Sequence, residues 1–95
     1  MTTYIVLLRF TDQGARNLKE SPTRATAFRK TTEAAGVNVL GLYWTVGKYD
    51  GVLILQAETE ATVLRAIANL AATGNVRPHS LRAFDATEFA AIVGA

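Results

Sequence analysis

Two strand-like segments of this chain are apolar on both of their sides, which limits the folds that the chain can adopt. Residues 4–10 (YIVLLRF) and 52–57 (VLILQA) are runs of β-branched, aliphatic and aromatic residues, which are typical of strands. A strand with one face in water alternates between apolar and polar residues, because successive side chains point to opposite faces. Arg9 is the only charged residue in either run. The sequence therefore predicts a sheet that is covered on both faces.

The rest of the chain alternates between helical and extended patterns. Ser21 is predicted to cap a helix that continues with Pro22 and ends at Gly36, a glycine suited to a left-handed cap. A short turn at 47–51 joins two strands into an antiparallel hairpin. In chain order, the predicted elements are a strand at 4–10, a helical turn within 14–20, a helix at 22–35, strands at 37–46 and 52–57, a helix from 58 or 59 to 73, a strand at 76–84 and a helix at 86–93.

This order predicts an α+β, ferredoxin-like βαββαβ fold with a short C-terminal helix, formed as one domain over residues 1–95. Right-handed crossovers place both long helices on one face of an antiparallel four-stranded sheet, and the strand order is expected to be 4-1-3-2. Pro78 predicts that the fourth strand lies at an edge or contains a bulge.

The sheet face opposite to the helices has no cover of its own in this prediction. A C-terminal helix of about two turns can shield only a corner of the sheet. Six apolar side chains left in water would each forgo about 1.5–3 kcal/mol of stabilisation. A second copy related by a two-fold axis provides the cover, so the sequence predicts a homodimer or larger homo-oligomer with the architecture of a dimeric α/β-barrel.

Composition and charge argue against several classes of protein. The net charge of +2 comes without a clustered basic stripe, so no nucleic acid is expected as a partner. No stretch approaches 18 apolar residues, and the N-terminal apolar run resembles a strand more than a signal peptide, so no membrane is expected either. The chain has no cysteine, which favours a cytoplasmic location. No spacing of His, Asp or Glu suggests a metal site, and no cofactor is predicted.

Seven side chains are candidates for contact with a ligand: Arg9, Tyr43, Trp44, Tyr49, Asp50, His79 and Arg82. His79 is the only histidine, and it is an exposed residue of an edge strand, a proton shuttle or an axial haem ligand. Arg9 and Arg82 either bind an anionic group or reach water from a strand end.

Asp50 and the three aromatic candidates surround the predicted hairpin. Asp50 is either a general base at the mouth of the barrel or a turn residue that binds a backbone amide. The aromatics either stack on a ligand or anchor the core or an interface. Tyr43 and Trp44 are neighbours in a strand, so they are expected on opposite faces of the sheet.

The hairpin also resembles a known family. Residues 39–52 (VLGLYWTVGKYDGV), with Gly47, Tyr49 and Asp50 arranged as Gly-x-Tyr-Asp, are similar to the signature hairpin of the GYD domain family. Segments 10–14, 74–77 and 80–84 resemble it as well. The resemblance implies a bacterial, ferredoxin-like, dimeric α/β-barrel. Its superfamily includes cofactor-free monooxygenases, haem enzymes, muconolactone isomerase-type proteins and stress-response proteins, so it implies the fold much more than the function.

Three functions stay open at this point. The first is a non-catalytic small-molecule-binding or stress-associated oligomer, with an interior filled by aliphatic side chains and no cavity beyond a few waters. The second is a cofactor-free enzyme, monooxygenase- or isomerase-like, that acts on a hydrophobic carbonyl compound. It requires a cavity in which at least two groups among Arg9, Asp50, His79 and a tyrosine converge. The third is a structural subunit of a larger homo-oligomer.

Overall fold

The structure is a computed structural model that describes residues 1–95, and it consists of one antiparallel sheet with two long helices on one side. A one-turn 3₁₀ helix at Leu18–Glu20 precedes the first long helix. In chain order, the other elements are β1 (Thr2–Phe10), α1 (Asp12–Arg16), α2 (Ser21–Ala34), β2 (Asn38–Trp44), β3 (Gly51–Ala57), α3 (Glu60–Ala72), β4 (Val76–Ala83) and α4 (Ala86–Val93).

The strands are arranged in the order β2-β3-β1-β4, and every neighbouring pair is antiparallel. This order confirms the predicted 4-1-3-2 arrangement, read from the other edge. Pro78 lies in β4, which is an edge strand. One side of an edge strand has no neighbouring strand, so a residue without an N–H group can be accommodated there without loss of a hydrogen bond of the sheet. The ferredoxin-like fold is thereby confirmed.

The hydrophobic core lies between the sheet and the two long helices. Tyr4 and Val6 of β1 and Leu55 of β3 are buried there, together with Val63 and Ile67 of α3. Phe28 of α2 packs against the same cluster, so both helices cover the same face of the sheet. Burial alternates strictly along β3, as the two-residue period of a strand requires.

The other face of the sheet carries no helix. Residues that are directly paired across strands share a face, so the register places Ile5 beside Ile54, and Leu7 beside Val52, on this side. Tyr43 and Leu81 extend the apolar surface onto the two edge strands. We call the surface formed by these six residues the open face.

The predicted cap of α2 is wrong. Ser21 is already the first helical residue, because the 3₁₀ helix runs directly into α2 and leaves Glu20 in a helical conformation. No side chain caps this end. The Ser21 hydroxyl, which is buried, accepts a hydrogen bond of 2.9 Å from the indole Nε1 of Trp44 instead. The predicted end of the helix is confirmed, since Gly36 has a φ of +91°.

The helical turn predicted within 14–20 begins earlier, at Asp12, where the Thr11 side chain accepts from the amide of Gly14. Gly14 allows a close approach of α1 to the chain that enters β4. A Cβ atom at this position would overlap the main-chain oxygen of Asn75. The same oxygen accepts a hydrogen bond from the Thr11 amide. This contact holds the end of β1 against the start of β4.

The C-terminal helix α4 is well formed and packs closely against no other element. Asp85 and Glu88 form a reciprocal capping box at its start, and Gly94 ends it in the left-handed conformation. Its apolar residues Phe89, Ile92 and Val93 are exposed. The molecule is 48 Å long, and its radius of gyration of 14.1 Å exceeds the value of about 12 Å expected for a compact chain of this length.

No helix in the structure has the length and apolar character that crossing a bilayer requires.

Candidate functional site

A cavity of about 410 Å³ lies between α2 and α3, above the helix-covered face of the sheet. Leu8, Phe10 and Leu53 contribute from the strands, Phe28 from α2 and Leu70 from α3. We call this space the helix-side cavity. Its volume lies within the range of about 300–1,000 Å³ that is typical of small-molecule sites. The expectation that a binding module has no cavity beyond a few waters is therefore wrong for this chain.

Small side chains on the facing sides of the helices leave this space open. Ala25 of α2 and Ala66 of α3 both line the cavity, and the two helices are not closely packed against each other. Larger side chains at these positions would bring the two helix surfaces into contact, because side-chain size sets the distance between packed helices. The cavity thus results from the small size of the side chains that α2 and α3 direct toward each other.

Asp50 lines the helix-side cavity, but hydrogen bonds to the strands already engage its carboxylate and main chain. One carboxylate oxygen, Oδ2, accepts a hydrogen bond of 2.8 Å from the amide of Phe10. The main-chain amide of Asp50 donates to the main-chain oxygen of Leu8 at 2.8 Å, and the main-chain oxygen of Asp50 accepts from the Thr45 amide. Asp50 therefore fastens the hairpin to the end of β1, which is the structural role considered for it.

The two aromatic residues at the end of β2 point in opposite directions, as predicted. Trp44 faces α2, where it binds Ser21. The Tyr43 ring lies on the open face and covers Gly41, which is paired with Ile54. A Cβ atom at Gly41 would come within 2.9 Å of the Cε2 atom of this ring. Both residues border the helix-side cavity.

Arg9, Tyr49 and His79 form a separate cluster away from the cavity. The Tyr49 ring meets the His79 ring edge-on at 5.6 Å between centroids, and the Arg9 guanidinium carbon lies 5.7 Å from the Tyr49 centroid. The Nε atom of Arg9 donates to the Lys48 oxygen at 3.0 Å. None of these three side chains lines the helix-side cavity. Three of the groups suggested for proton transfer therefore lie together, but outside the helix-side cavity that Asp50 lines.

Arg82 lies at the other end of the sheet, paired with Tyr4. Its guanidinium donates to the main-chain oxygens of Thr3 and Ala83 and stacks 4.4 Å from the centroid of the Phe84 ring. The Arg82 guanidinium is therefore engaged by groups of its own chain. No group of three or more His, Cys, Asp or Glu residues in the structure is arranged to hold a metal ion.

The pair formed by Tyr4 and Glu60 was not anticipated from the sequence. The Tyr4 hydroxyl donates a hydrogen bond of 2.5 Å to the Glu60 carboxylate. This bond, together with desolvation and the negative charge of Glu60, raises the pKa of Tyr4, while the nearby Arg82 acts in the opposite direction. The acidic residue in the first turn of α3 was visible in the sequence, but the strand residue that it would meet was not.

This pair predicts a loss of stability at high pH. Because the pKa of Tyr4 is raised in the folded state, the stabilisation is complete below the unfolded value of about 10 and is lost as the pH rises through the folded value. We expect the free energy of unfolding of Tyr4→Phe to fall less than that of the wild type between neutral pH and about pH 11. Urea titrations across this range measure the difference.

Tyr49→Phe is the matched control, because it removes a phenol that has no carboxylate partner in the structure. It should retain the pH dependence of the wild type. Identical pH profiles for Tyr4→Phe and the wild type would contradict the assignment.

Comparisons with known proteins agree on one family. The family model of the GYD domain matches residues 4–93. A protein of the bacterium Thermus thermophilus, named "Glutamine synthetase and cystathionine beta-lyase binding protein", is 38% identical over 92 residues. The alignment covers 96% of this chain and 97% of that protein. No solved structure matches the chain.

Proposed function

This chain belongs to the GYD domain family, and we propose that it is a non-catalytic binding module that works as a homodimer. The observation that carries the proposal is the open face, an apolar sheet surface without cover in its own chain. The relative that matches almost the whole chain is named as a binding protein, which supports binding over catalysis.

The open face has the composition of a protein interface. Ile5, Leu7, Val52 and Ile54 lie on its two central strands. Polar groups surround this centre: Thr3 and Gln56, which are hydrogen-bonded at 3.1 Å, lie at one end of the central strands and Arg9 at the other. His79 lies on the edge strand β4, beside Leu7. An apolar centre with a polar rim is typical of specific interfaces.

A second copy is the occupant that we favour for this surface. A two-fold axis brings the same residues of both chains together, so an apolar centre meets an apolar centre and each polar end meets a polar region. Two sheets that face each other in this way enclose a shared interior about 10 Å thick, as in other sheet packings. This arrangement is the dimeric α/β-barrel predicted from the sequence.

The name of the Thermus thermophilus relative suggests the class of further partners. We propose that the dimer binds metabolic enzymes, with glutamine synthetase and cystathionine beta-lyase as the first to test. The apolar residues of α4 are exposed in the single chain and are available for contact in such a complex or with the second copy.

Analytical ultracentrifugation tests both parts of the proposal. At micromolar concentration we expect a species with twice the 10.2 kDa mass of one chain. A larger boundary that contains both proteins is expected when purified glutamine synthetase or cystathionine beta-lyase from the same organism is added. A stable monomer would overturn the dimer. A dimer that sediments independently of both enzymes would overturn only the choice of partners.

The helix-side cavity is the one observation that favours an enzyme as the second candidate. Of the polar side chains suggested for proton transfer, Asp50 lines the cavity, whereas Arg9, Tyr49 and His79 do not. The Asp50 carboxylate also accepts from the Phe10 amide, so part of its hydrogen-bonding capacity is used within its own chain. Binding is for this reason placed ahead of catalysis.

A further inference from the structure

We propose that the helix-side cavity binds a small carboxylic acid with an apolar body. The inference extends the proposed binding function, on which it rests, by assigning a ligand class to a site within one chain. The cavity lies on the helix-covered side of the sheet, whereas the proposed dimer uses the open face. Apart from Tyr43, which belongs to the open face and also borders the cavity, ligand binding and dimer formation therefore depend on different residues.

The strand and helix residues that line the cavity suit the apolar part of such a ligand. Leu8, Leu53, Phe28 and Leu70 provide aliphatic and aromatic contacts on three sides. The cavity follows the helices from Ser21 to Thr32 of α2, which corresponds to a length of about 16 Å at the rise of an α-helix. An extended aliphatic chain or a substituted ring fits a space of this length and volume.

Two arginines provide the charge that selects an anion. Arg24 lines the cavity from α2 and Arg65 lines it from α3, so each helix contributes one guanidinium. Arg24 donates to the main-chain oxygen of Asn17 at 2.9 Å, and Arg65 makes no side-chain hydrogen bond within the chain. No carboxylate accepts a hydrogen bond from either residue. Their remaining N–H groups are free to bind an anionic oxygen.

The only acidic residue that lines the cavity is Asp50, and the Phe10 amide already binds one of its oxygens. The site thus holds two positive charges and one negative charge. A ligand carboxylate would bring the charges of the complex into balance. Carboxylates also match the planar guanidinium group, which binds them through two parallel hydrogen bonds.

Thr32 supplies a further polar contact inside the cavity. Only 4% of its surface is exposed, yet its hydroxyl makes no hydrogen bond within the chain. No completely buried side-chain oxygen in the structure lacks a partner, so this oxygen keeps some exposed surface, and the residue lines the cavity. A ligand that covers this hydroxyl is favoured when it also hydrogen-bonds with it, because a polar group that is buried without a partner costs free energy.

Trp44 gives a direct measure of occupancy, since it is the only tryptophan of the chain and borders the cavity. We propose to titrate the full chain with octanoate and with 1-octanol, following tryptophan fluorescence and the heat of binding. Octanoate is expected to produce a saturable change in both signals. 1-Octanol, which has the same chain without the charge, is expected to bind about tenfold more weakly or less, the equivalent of one charge-assisted hydrogen bond.

Arginine variants locate the anion within the cavity. Arg24→Gln and Arg65→Gln should each weaken octanoate binding about threefold to tenfold and leave 1-octanol binding unchanged. Lys30→Gln is the matched control, because it removes a positive charge from α2 outside the cavity. Circular dichroism of each variant establishes that it is folded before it is titrated.

Three results would overturn the inference. The first is the absence of a saturable signal at octanoate concentrations up to about 10 mM, which corresponds to a binding free energy weaker than about 3 kcal/mol. The second is equal affinity for octanoate and 1-octanol. The third is an octanoate affinity that is unchanged in both arginine variants. Sedimentation of the same samples keeps the two proposals separate. A dimer that binds no octanoate contradicts only the ligand, whereas a monomer that binds octanoate contradicts only the dimer.

Discussion

Ile54→Lys is expected to convert the protein from a dimer into a folded monomer. Ile54 lies near the middle of the open face, paired with Ile5 on one side and with Gly41 on the other. In the proposed dimer, a lysine at this position would bring an unpaired charge into an apolar interface, at a cost of several kcal/mol. The dissociation constant of the dimer should therefore rise by about 100-fold or more.

Within a single chain the same substitution has little effect, because the lysine ammonium can extend into water. Circular dichroism should show wild-type secondary structure while sedimentation equilibrium shows the mass of one chain. Leu64→Lys is the matched control, since Leu64 is an exposed leucine of α3 on the opposite side of the molecule. That variant should remain a dimer. An Ile54→Lys protein with the mass of two chains would show that the open face is not the interface.

Leu55→Ala is expected to cause the largest loss of stability among single core truncations. Leu55 is fully buried, and it is paired with Tyr4 of β1 and Val39 of β2 at the centre of the core. Removal of a buried leucine side chain costs about 2–5 kcal/mol, because the apolar contacts are lost and the surrounding residues fill the space only in part. That is a large fraction of the roughly 5–15 kcal/mol that stabilises a typical domain.

Urea denaturation at one fixed protein concentration measures this loss, since the apparent stability of a dimer depends on concentration. Leu40→Ala provides the comparison. Leu40 is an exposed leucine at the irregularity of β2 between Val39 and Gly41, and its truncation should change stability by no more than about 0.5 kcal/mol. A loss below about 1 kcal/mol for Leu55→Ala would mean that this part of the core is not tightly packed.

The fold was predictable because its local signals agree with one another. The strand at 52–57 carries apolar residues on both sides, and the structure buries alternate ones under the helices and leaves the others on the open face. Gly36 and Gly74 follow the two long helices and adopt the positive φ values that end them. Together with the short hairpin between β2 and β3, these signals predicted the order of the elements and the arrangement of the strands that the structure has.

The candidate site was less predictable, because it depends on distances between elements that are far apart in sequence. Periodicity places Trp44 opposite to Tyr43, but it does not show that the Trp44 indole binds Ser21. It also does not show that the turn sends Asp50 toward β1 and the neighbouring Tyr49 toward His79. The gap between α2 and α3 depends on the size of side chains that face each other only after folding. The ligand roles of the seven candidate residues stay predictions.

The C-terminal helix α4 has a consequence for how proteins of this design can diversify. Its start is fixed by Asp85 and Glu88 and its end by Gly94, so the residues that define it are its own. It packs only loosely against the other elements. Because few contacts join α4 to the other elements, we expect that it can be lengthened or fused to another module while the domain stays folded.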